Sequence, residues 1–312
     1  MAASVSEFIK KGCLIHMTSS SRSFKEKLEI IKSQYSSLEK FKQASVNEIS
    51  SLPNGKKLTQ KEIKAIEELQ KEINNDCTIE ENFIQLFTKK FIAKQLEKIK
   101  EITINDLNTN PLLCYALKFD NPKDFIKFYT YQAVSRSIVT SMGFLVQDLL
   151  LYSNEHIYDG KNYNEGQKTK FDLVIDKDGE KTFFEIKSGF NDLDKGQIKH
   201  YNEELSSVEK KGNKAYIGIT YGKKNAATVT SKLLETYVKD WKKKTFVGRE
   251  LWEHISGKGQ YHSTLSKNIR NAANAVLHDS GIVKEIEKKI NDLVRDFKSH
   301  YNSMDDYYDS LW

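Results

Sequence analysis

The first third of the chain has the apolar spacing of amphipathic helices. FKEKLEIIKSQYSSLEKFKQ places Leu28, Ile31, Tyr35 and Leu38 on one stripe, and ENFIQLFTKKFIAKQLEKIK repeats that spacing. Residues three or four apart lie on one face of a helix, so the pattern predicts helices over about residues 22–107. SLPNGKK, residues 51–57, is the clearest break. Thr59 followed by Glu62 has the spacing of a capping box, which predicts the start of the next helix.

The middle of the chain changes from a helical period to the alternation of strands. Asn121 and Pro122 suit the N-cap and the first position of a long helix, predicted over about residues 123–151. The elements expected after it are a hairpin at residues 170–188, a helix at 193–209, a strand at 214–222, a short strand and helix in TFVGRELWEHISG, and helices over 263–304. Strands grouped between helices predict an α/β (α+β) fold, with a mixed central β-sheet flanked by helices and helical additions at both ends.

Composition narrows the possible classes of protein. With 312 residues, 38% of them apolar, the chain can form a sizeable core. The net charge of +6 suits contact with a polyanion, although solvated lysine-rich helix faces give the same balance. Three scattered cysteines without metal-ligand spacing are typical of reduced thiols. We find no signal-peptide pattern and no run of about 18 apolar residues, and therefore expect a cytoplasmic protein without a membrane span.

The stretch KFDLVIDKDGEKTFFEIKSG, residues 170–189, carries the candidate chemistry. Asp178-Gly179 has the sequence of a two-residue type I′ hairpin turn. Counting outward from this turn pairs Asp172 with Glu185 and puts Lys187 on the same face of the hairpin. Two carboxylates directly opposite each other, roughly 5 Å apart at their Cβ atoms, destabilise a sheet unless a cation neutralises them.

The same alternation predicts the core of the hairpin. One apolar face would consist of Phe171, Leu173, Ile175, Phe184 and Ile186, and the carboxylates would lie on the other.

Two carboxylates, with water and a substrate phosphate completing the shell, are the usual form of a protein Mg²⁺ site. Lys187 could place its ammonium beside the attacking water or the scissile phosphate, so the group indicates phosphodiester hydrolysis. The alternative is a plain hairpin whose carboxylates point into water. Glu62-Ile63-Lys64 is the same triplet in a predicted helix cap, so the triplet alone decides nothing.

Asp172, twelve intervening residues and Glu185-Ile186-Lys187 on a hairpin resemble the PD-(D/E)XK nuclease superfamily. In that family the first Asp and the Glu hold the metal, and the Lys is catalytic. Phe171 stands where the name of the motif has proline, which many members also lack.

Two flanking helices extend this resemblance. GQIKHY places Gln197 and Tyr201 one turn apart, similar to a Gln-x-x-x-Tyr helix of several branches, although an amphipathic helix with Tyr201 inward explains the same spacing. SRSIVTSMGFLVQDLL resembles the helix that precedes the hairpin in many restriction endonucleases. Relatives often have a metal-binding Glu near the position of Gln147; here glutamine is followed by Asp148, which lies on a different face.

The resemblance implies a type II restriction endonuclease, a Mg²⁺-dependent enzyme that cuts double-stranded DNA at a short palindromic or interrupted palindromic site. It also implies a homodimer, because two strands need two copies of one catalytic centre, and a cognate DNA methyltransferase as genetic partner. Residues 111–258 would form the PD-(D/E)XK nuclease core. Residues 1–110 would be a helical N-terminal region for dimerisation or DNA embrace, and residues 259–312 a C-terminal helical region.

Several basic and polar residues are candidates for contact with DNA. Lys223, Lys224 and Asn225 follow a predicted strand, and Arg270 lies in SKNIRNAAN, although a solvated surface explains them equally well. Two other interpretations stay open at this point. One is a PD-(D/E)XK nuclease of DNA repair, recombination or phage defence. The other is a non-catalytic DNA-binding protein on a degenerate nuclease fold, against which the intact Asp, Glu and Lys argue.

Overall fold

A computed structural model describes residues 4–17, 22–50, 57–107, 109–163, 169–189, 193–224, 228–278 and 281–312. Contacts between residues group the chain into two compact units. The first is Met1–Phe87 with Leu145–Ile269, and the second is Thr88–Phe144 with Arg270–Trp312. This grouping differs from the functional boundaries expected at residues 110 and 258, which stay predictions.

Helices dominate the described residues and accompany five strands. The helices are α1 (Val5–Ile15), α2 (Arg22–Gln34), α3 (Leu38–Gln43), α4 (Val46–Ser50), α5 (Gln60–Glu72), α6 (Ile79–Glu101), α7 (Pro111–Ala116), α8 (Pro122–Leu151), α9 (Lys195–Glu209), α10 (Val229–Tyr237), α11 (Trp241–Lys244), α12 (Arg249–Ser256), α13 (Tyr261–Leu277), α14 (Gly281–His300) and α15 (Met304–Asp309). The strands are β1 (Ile157–Asp159), β2 (Leu173–Lys177), β3 (Glu180–Lys187), β4 (Lys214–Ile219) and β5 (Thr245–Val247).

The five strands form one mixed sheet in the order β1-β2-β3-β4-β5. β1, β2 and β3 pair antiparallel, whereas β3, β4 and β5 run parallel. Parallel strands need crossover connections, which α9 supplies between β3 and β4 and α10 with α11 supplies between β4 and β5. The predicted mixed α/β fold is confirmed.

Local helix signals in the sequence are confirmed at two starts. The Thr59 hydroxyl accepts from the Glu62 amide at 3.3 Å and the Glu62 carboxylate accepts from the Thr59 amide at 2.6 Å, which completes the capping box of α5. Asn121 accepts from the Asp124 amide at 2.9 Å, and α8 begins at Pro122.

The predicted continuous stripe from Leu28 to Leu38 is wrong as a single helix. α2 ends at Gln34, and the Ser37 hydroxyl accepts from the Lys40 amide to start α3. Serine competes for backbone hydrogen bonds and favours a cap over a helix interior, so Ser36-Ser37 interrupts the helical spacing.

α8 is the one helix in the described ranges that is long and apolar enough to cross a membrane, judged by length and composition. The sequence, which has no uninterrupted run of about 18 apolar residues, predicts no membrane span. α8 buries Phe125 and Ile126 near its start and Leu149 and Leu150 near its end, and 28% of its most apolar 18-residue stretch is buried.

The predicted hairpin turn is confirmed, and so is its register as far as Leu173, but the predicted pairing of Asp172 with Glu185 is wrong. Asp178 and Gly179 both have positive φ, 53° and 83°, as a type I′ turn requires. Pairing then runs outward from Lys177 with Glu180 to Leu173 with Phe184.

The regular ladder ends one residue before the predicted carboxylate pair. The Asp172 amide donates at 3.0 Å to the carbonyl of Phe184, the residue that already pairs with Leu173. Two successive residues therefore face one residue of β3, which is the pattern of a β-bulge. The prediction that Phe171 shares a face with Phe184 is wrong, because the strand has left its alternation: Phe171 packs against Phe183, with ring centroids 5.5 Å apart.

Both faces of the sheet are covered. On the face of Glu185 an apolar cluster joins the sheet to α9, α10 and α11. Its buried members on the strands and helices include Ala215, Ile217, Ile219, Ile198, Tyr201, Leu205, Leu234 and Trp241. On the opposite face Phe184 and Tyr216 pack with Phe246 and with His254 of α12. Glu185 is thus buried beside the core, whereas Asp172 and Lys187 keep part of their surface exposed.

The parallel strands end together at one edge of the sheet, which we call the Lys187 edge: Lys187 of β3, Ile219 of β4 and Val247 of β5. The Thr220 amide donates to the Lys187 carbonyl at 3.0 Å, and the Gly248 amide donates to the Ile219 carbonyl at 2.8 Å. β2 is antiparallel to β3, so Asp172, just before β2, lies at the same edge.

The second unit has its own core. Phe125, Ile126 and Tyr129 of α8 pack with Ile290 and Phe297 of α14 in one buried cluster.

Candidate active site

Asp172 is held at the Lys187 edge by the backbone of β3. Its Oδ2 accepts from the Ile186 amide at 2.9 Å, so the carboxylate crosses to the neighbouring strand beside Glu185. Its Oδ1 lies 3.4 Å from Nζ of Lys161. The bulge therefore brings the two predicted carboxylates together by a different route from simple cross-strand pairing.

Glu185 is a buried carboxylate, with 7% of its surface exposed. Burial raises the pKa of Glu185, and the negative charge of Asp172 raises it further, while Lys187 and Tyr201 act in the opposite direction. Glu185 Oε1 lies 3.0 Å from Nζ of Lys187. A second positive charge would therefore stabilise this carboxylate further.

Lys187 is oriented from two sides. Burial alone would lower the pKa of Lys187, but hydrogen bonds with Tyr201 and Glu185 outweigh it and raise that pKa. Nζ lies 5.2 Å from the centre of the Tyr201 ring. The side chain is thus an ammonium at neutral pH, suited to donate hydrogen bonds and to stabilise negative charge.

The two residues expected from the helix after the hairpin have different positions. Tyr201 is buried, and its hydroxyl is hydrogen-bonded to Lys187 and Glu185. Gln197 is exposed and completes a capping box with Asp194, accepting from the Asp194 amide at 3.2 Å. The structure therefore joins Tyr201 to the candidate site and gives Gln197 a helix-capping role.

The upstream helix places Gln147 in a half-buried position on α8. Its neighbour Asp148 lies near Lys11 and Tyr152; burial raises the pKa of Asp148 to about 6, and Lys11 opposes this shift. Among the residues that the structure describes, no three His, Cys, Asp or Glu side chains lie close enough together to hold a metal ion.

The candidate DNA contacts are dispersed. Lys223 is exposed just beyond β4, and Lys224 pairs with Glu250 at 3.1 Å. Asn225 lies outside the described residues. Arg270 is exposed on α13 and belongs to the second unit.

Sequence reasoning missed Lys161. It lies in a 3₁₀ turn between β1 and β2, and the sequence there carries no recognisable motif. Only the tertiary structure shows that Lys161 lies beside Asp172.

The residues present fit a divalent cation. Asp172 and Glu185 supply hard oxygen ligands, and burial with like-charge repulsion leaves Glu185 in need of a cation. A shell completed by water, backbone oxygen and substrate phosphate is usual for Mg²⁺, which needs few carboxylates. Asp172 and Glu185 are the residues that would hold it.

The comparison with known families adds an independent result. A sequence model described as Type II restriction endonuclease EcoO109I matches residues 78–276, which include all of α8, the hairpin, α9 and most of α13. The match spans more than half of the chain and defines the class as a type II restriction endonuclease. The chain belongs to the EcoO109I family of these enzymes. A search of curated proteins finds no match.

Proposed function

We propose that the chain is a Mg²⁺-dependent PD-(D/E)XK endonuclease, which hydrolyses both strands of DNA at a short palindromic or interrupted palindromic site. The observation that carries the proposal is the meeting of Asp172, Glu185 and Lys187 at the Lys187 edge of the sheet. Burial and the charge of Asp172 raise the pKa of Glu185 although Lys187 opposes the shift, and a carboxylate perturbed in this way is typical of a functional site.

Each residue has a distinct role in this mechanism. Asp172 and Glu185 would hold Mg²⁺, which when bound supplies Lewis acidity toward water and the scissile phosphate. Lys187, kept protonated by Tyr201 and Glu185, orients the attacking water and stabilises the negative charge that grows on the phosphate. The sheet fixes all three groups before substrate arrives, because Asp172 is bonded to the backbone between the other two.

The test is incubation of purified protein with plasmid DNA and Mg²⁺, followed by sequencing of the ends. We expect discrete fragments from the wild type, and DNA binding without cutting by Asp172→Ala and Lys187→Ala. Asp178→Asn is the matched control, since it removes a carboxylate from the same hairpin and asparagine also tolerates positive φ in a type I′ turn. Undiminished cutting by Asp172→Ala would refute the site. Ends spread over unrelated sequences would refute the restriction assignment and favour a repair, recombination or phage-defence nuclease.

The same proposal includes a homodimer with a cognate methyltransferase as genetic partner, acting in the cytoplasm. A palindromic site has two equivalent scissile bonds related by a twofold axis, which a symmetric dimer matches. Sedimentation without DNA should give twice the 36.0 kDa mass of the chain, and sedimentation with a cognate duplex should give that mass plus the mass of one duplex.

We further propose that Lys223 and Lys224 contact DNA phosphates. The loop that carries both lysines follows β4 at the Lys187 edge. Thr220, the first residue of this loop, donates its amide hydrogen bond to the Lys187 carbonyl. Exchange of either lysine for glutamine should weaken binding to all sequences alike, because phosphate contacts carry no base information.

A further inference from the structure

Lys161 is a second lysine at the site, supplied from outside the hairpin. Its Nζ lies 3.4 Å from Oδ1 of Asp172, while Oδ2 of the same carboxylate accepts from the Ile186 amide. One oxygen of Asp172 is therefore fixed by the sheet, and Lys161 occupies the other.

The backbone that carries Lys161 is fixed at this place. The Gly160 amide donates to the Asp172 carbonyl at 2.9 Å, and Thr169 bonds the Gly160 carbonyl through its amide and its hydroxyl. A Cβ at Gly160 would lie 2.1 Å from the Phe171 carbonyl oxygen, so this close approach requires glycine. The Asp159 carboxylate accepts from the Lys161 amide at 3.0 Å.

The side chain of Lys161, in contrast, is free to move. It is 61% exposed, and 3.4 Å is long for a charged hydrogen bond. Such exposed pairs are weak, and a lysine head on a flexible four-carbon stem can change partner.

The charges of the site explain what would move it. In the structure Glu185 has Lys187 as its partner and Asp172 has Lys161, so two negative charges meet two positive ones. A divalent cation on the carboxylates would repel the ammonium from Oδ1 and leave the site with a charge of +2.

We propose that Lys161 is a phosphate-binding residue that rests on Asp172 until the metal displaces it, and then contacts the DNA backbone next to the scissile bond. The inference depends on the metal site of the proposed function. It makes DNA affinity depend on metal through one identified side chain.

The test measures DNA affinity in the Lys187→Ala background, so that the DNA stays intact. With Mg²⁺ we expect Lys161→Gln to weaken binding about tenfold and to reduce the salt dependence by about one phosphate contact. Without Mg²⁺ the same exchange should change affinity less than about twofold, because Lys161 is then engaged by Asp172. Lys161→Arg should keep most of the metal-dependent binding.

Lys214→Gln is the matched control. Lys214 is 59% exposed and pairs with Glu180 at 3.0 Å. It is the first residue of β4 and therefore lies at the end of the strand away from the Lys187 edge. We expect no effect larger than about twofold with or without Mg²⁺.

Asp172→Asn supplies the second arm, because it removes the charge that holds Lys161. In that variant, Lys161→Gln should weaken binding about tenfold even without Mg²⁺. The inference would be overturned if Lys161→Gln, in the protein that keeps Asp172, reduced DNA affinity equally with and without Mg²⁺. It would also be overturned if the exchange reduced DNA affinity in neither condition. Cutting by Asp172→Ala would instead refute the proposed function, so the two failures are distinguishable.

Discussion

Glu-Ile-Lys occurs twice in the first unit, at residues 62–64 and at residues 185–187, and the two copies have opposite surroundings. Both glutamates are buried, 3% and 7% exposed. Glu62 accepts from the Thr59 amide at 2.6 Å and from Lys27 at 2.9 Å, and these hydrogen bonds stabilise its charged form. Glu185 has Asp172 as a charged neighbour and Lys187 of its own triplet as partner.

The pKa shifts of the two glutamates have opposite signs. Burial raises the pKa of Glu62, but hydrogen bonds from Thr59 and Lys27 outweigh it and lower the pKa overall. Burial and Asp172 leave the pKa of Glu185 raised. A carboxylate that its partners stabilise fully supports the fold, whereas one whose pKa stays raised despite a lysine partner would be stabilised further by a bound cation.

The largest expected difference between the copies is in the lysines. Lys187→Ala should slow single-turnover cleavage about 10²–10⁴-fold, because it removes an oriented ammonium from the reacting phosphate. Lys64→Ala should leave the rate unchanged, since Lys64 is 77% exposed and meets Glu68 at 3.9 Å. Equal rates for the two variants would show that the triplet on β3 is not catalytic. Thermal melting of both proteins checks that each is folded.

The second difference is in stability. Glu62→Gln can keep the cap of α5 but leaves Lys27, which is 7% exposed, without a charged partner. Breaking a buried pair from one side destabilises by about 3 kcal/mol, which urea unfolding would measure, while the cleavage rate of the folded enzyme should not change.

Lys27→Met combined with Glu62→Gln is the control for this prediction. Removing both charges should recover most of the lost stability, because no buried charge remains unpaired. A double variant as unstable as Glu62→Gln alone would show that the cap, and not the ion pair, carries the effect.

Much of the hairpin could be predicted from sequence because its signals are local. Asp178-Gly179 fixes the turn by its positive φ values, and the turn fixes the register from Lys177 to Leu173. The same locality explains the success at Thr59 and Glu62, whose bonds span three residues.

The remainder depends on contacts that no local pattern encodes. The bulge at Asp172 lies just before the start of β2, where the Gly160 amide donates to the Asp172 carbonyl. Beyond the bulge Phe171 lies on the face of the sheet opposite to the one expected, and packs against Phe183. Lys161 reaches the site through that same packing. Gln197 and Tyr201 share a spacing typical of a functional helix. Gln197, however, caps α9, whereas Tyr201 lies beside Lys187, and the spacing alone does not distinguish these two positions.

The smallest expected effect is the pH dependence of the Glu62 contribution. A lowered folded pKa means that the ionised carboxylate stabilises the fold above its ordinary pKa of 4.5, and that this stability is lost as the pH falls through the folded value. The gap in unfolding free energy between wild type and Glu62→Gln should therefore narrow by on the order of 1 kcal/mol as the pH falls from 7 to below 4. Urea unfolding across this range measures it, and the double variant with Lys27→Met should parallel the single one, because both lack the carboxylate. A gap that widens toward low pH would reverse the sign assigned to Glu62 and remove the contrast with Glu185.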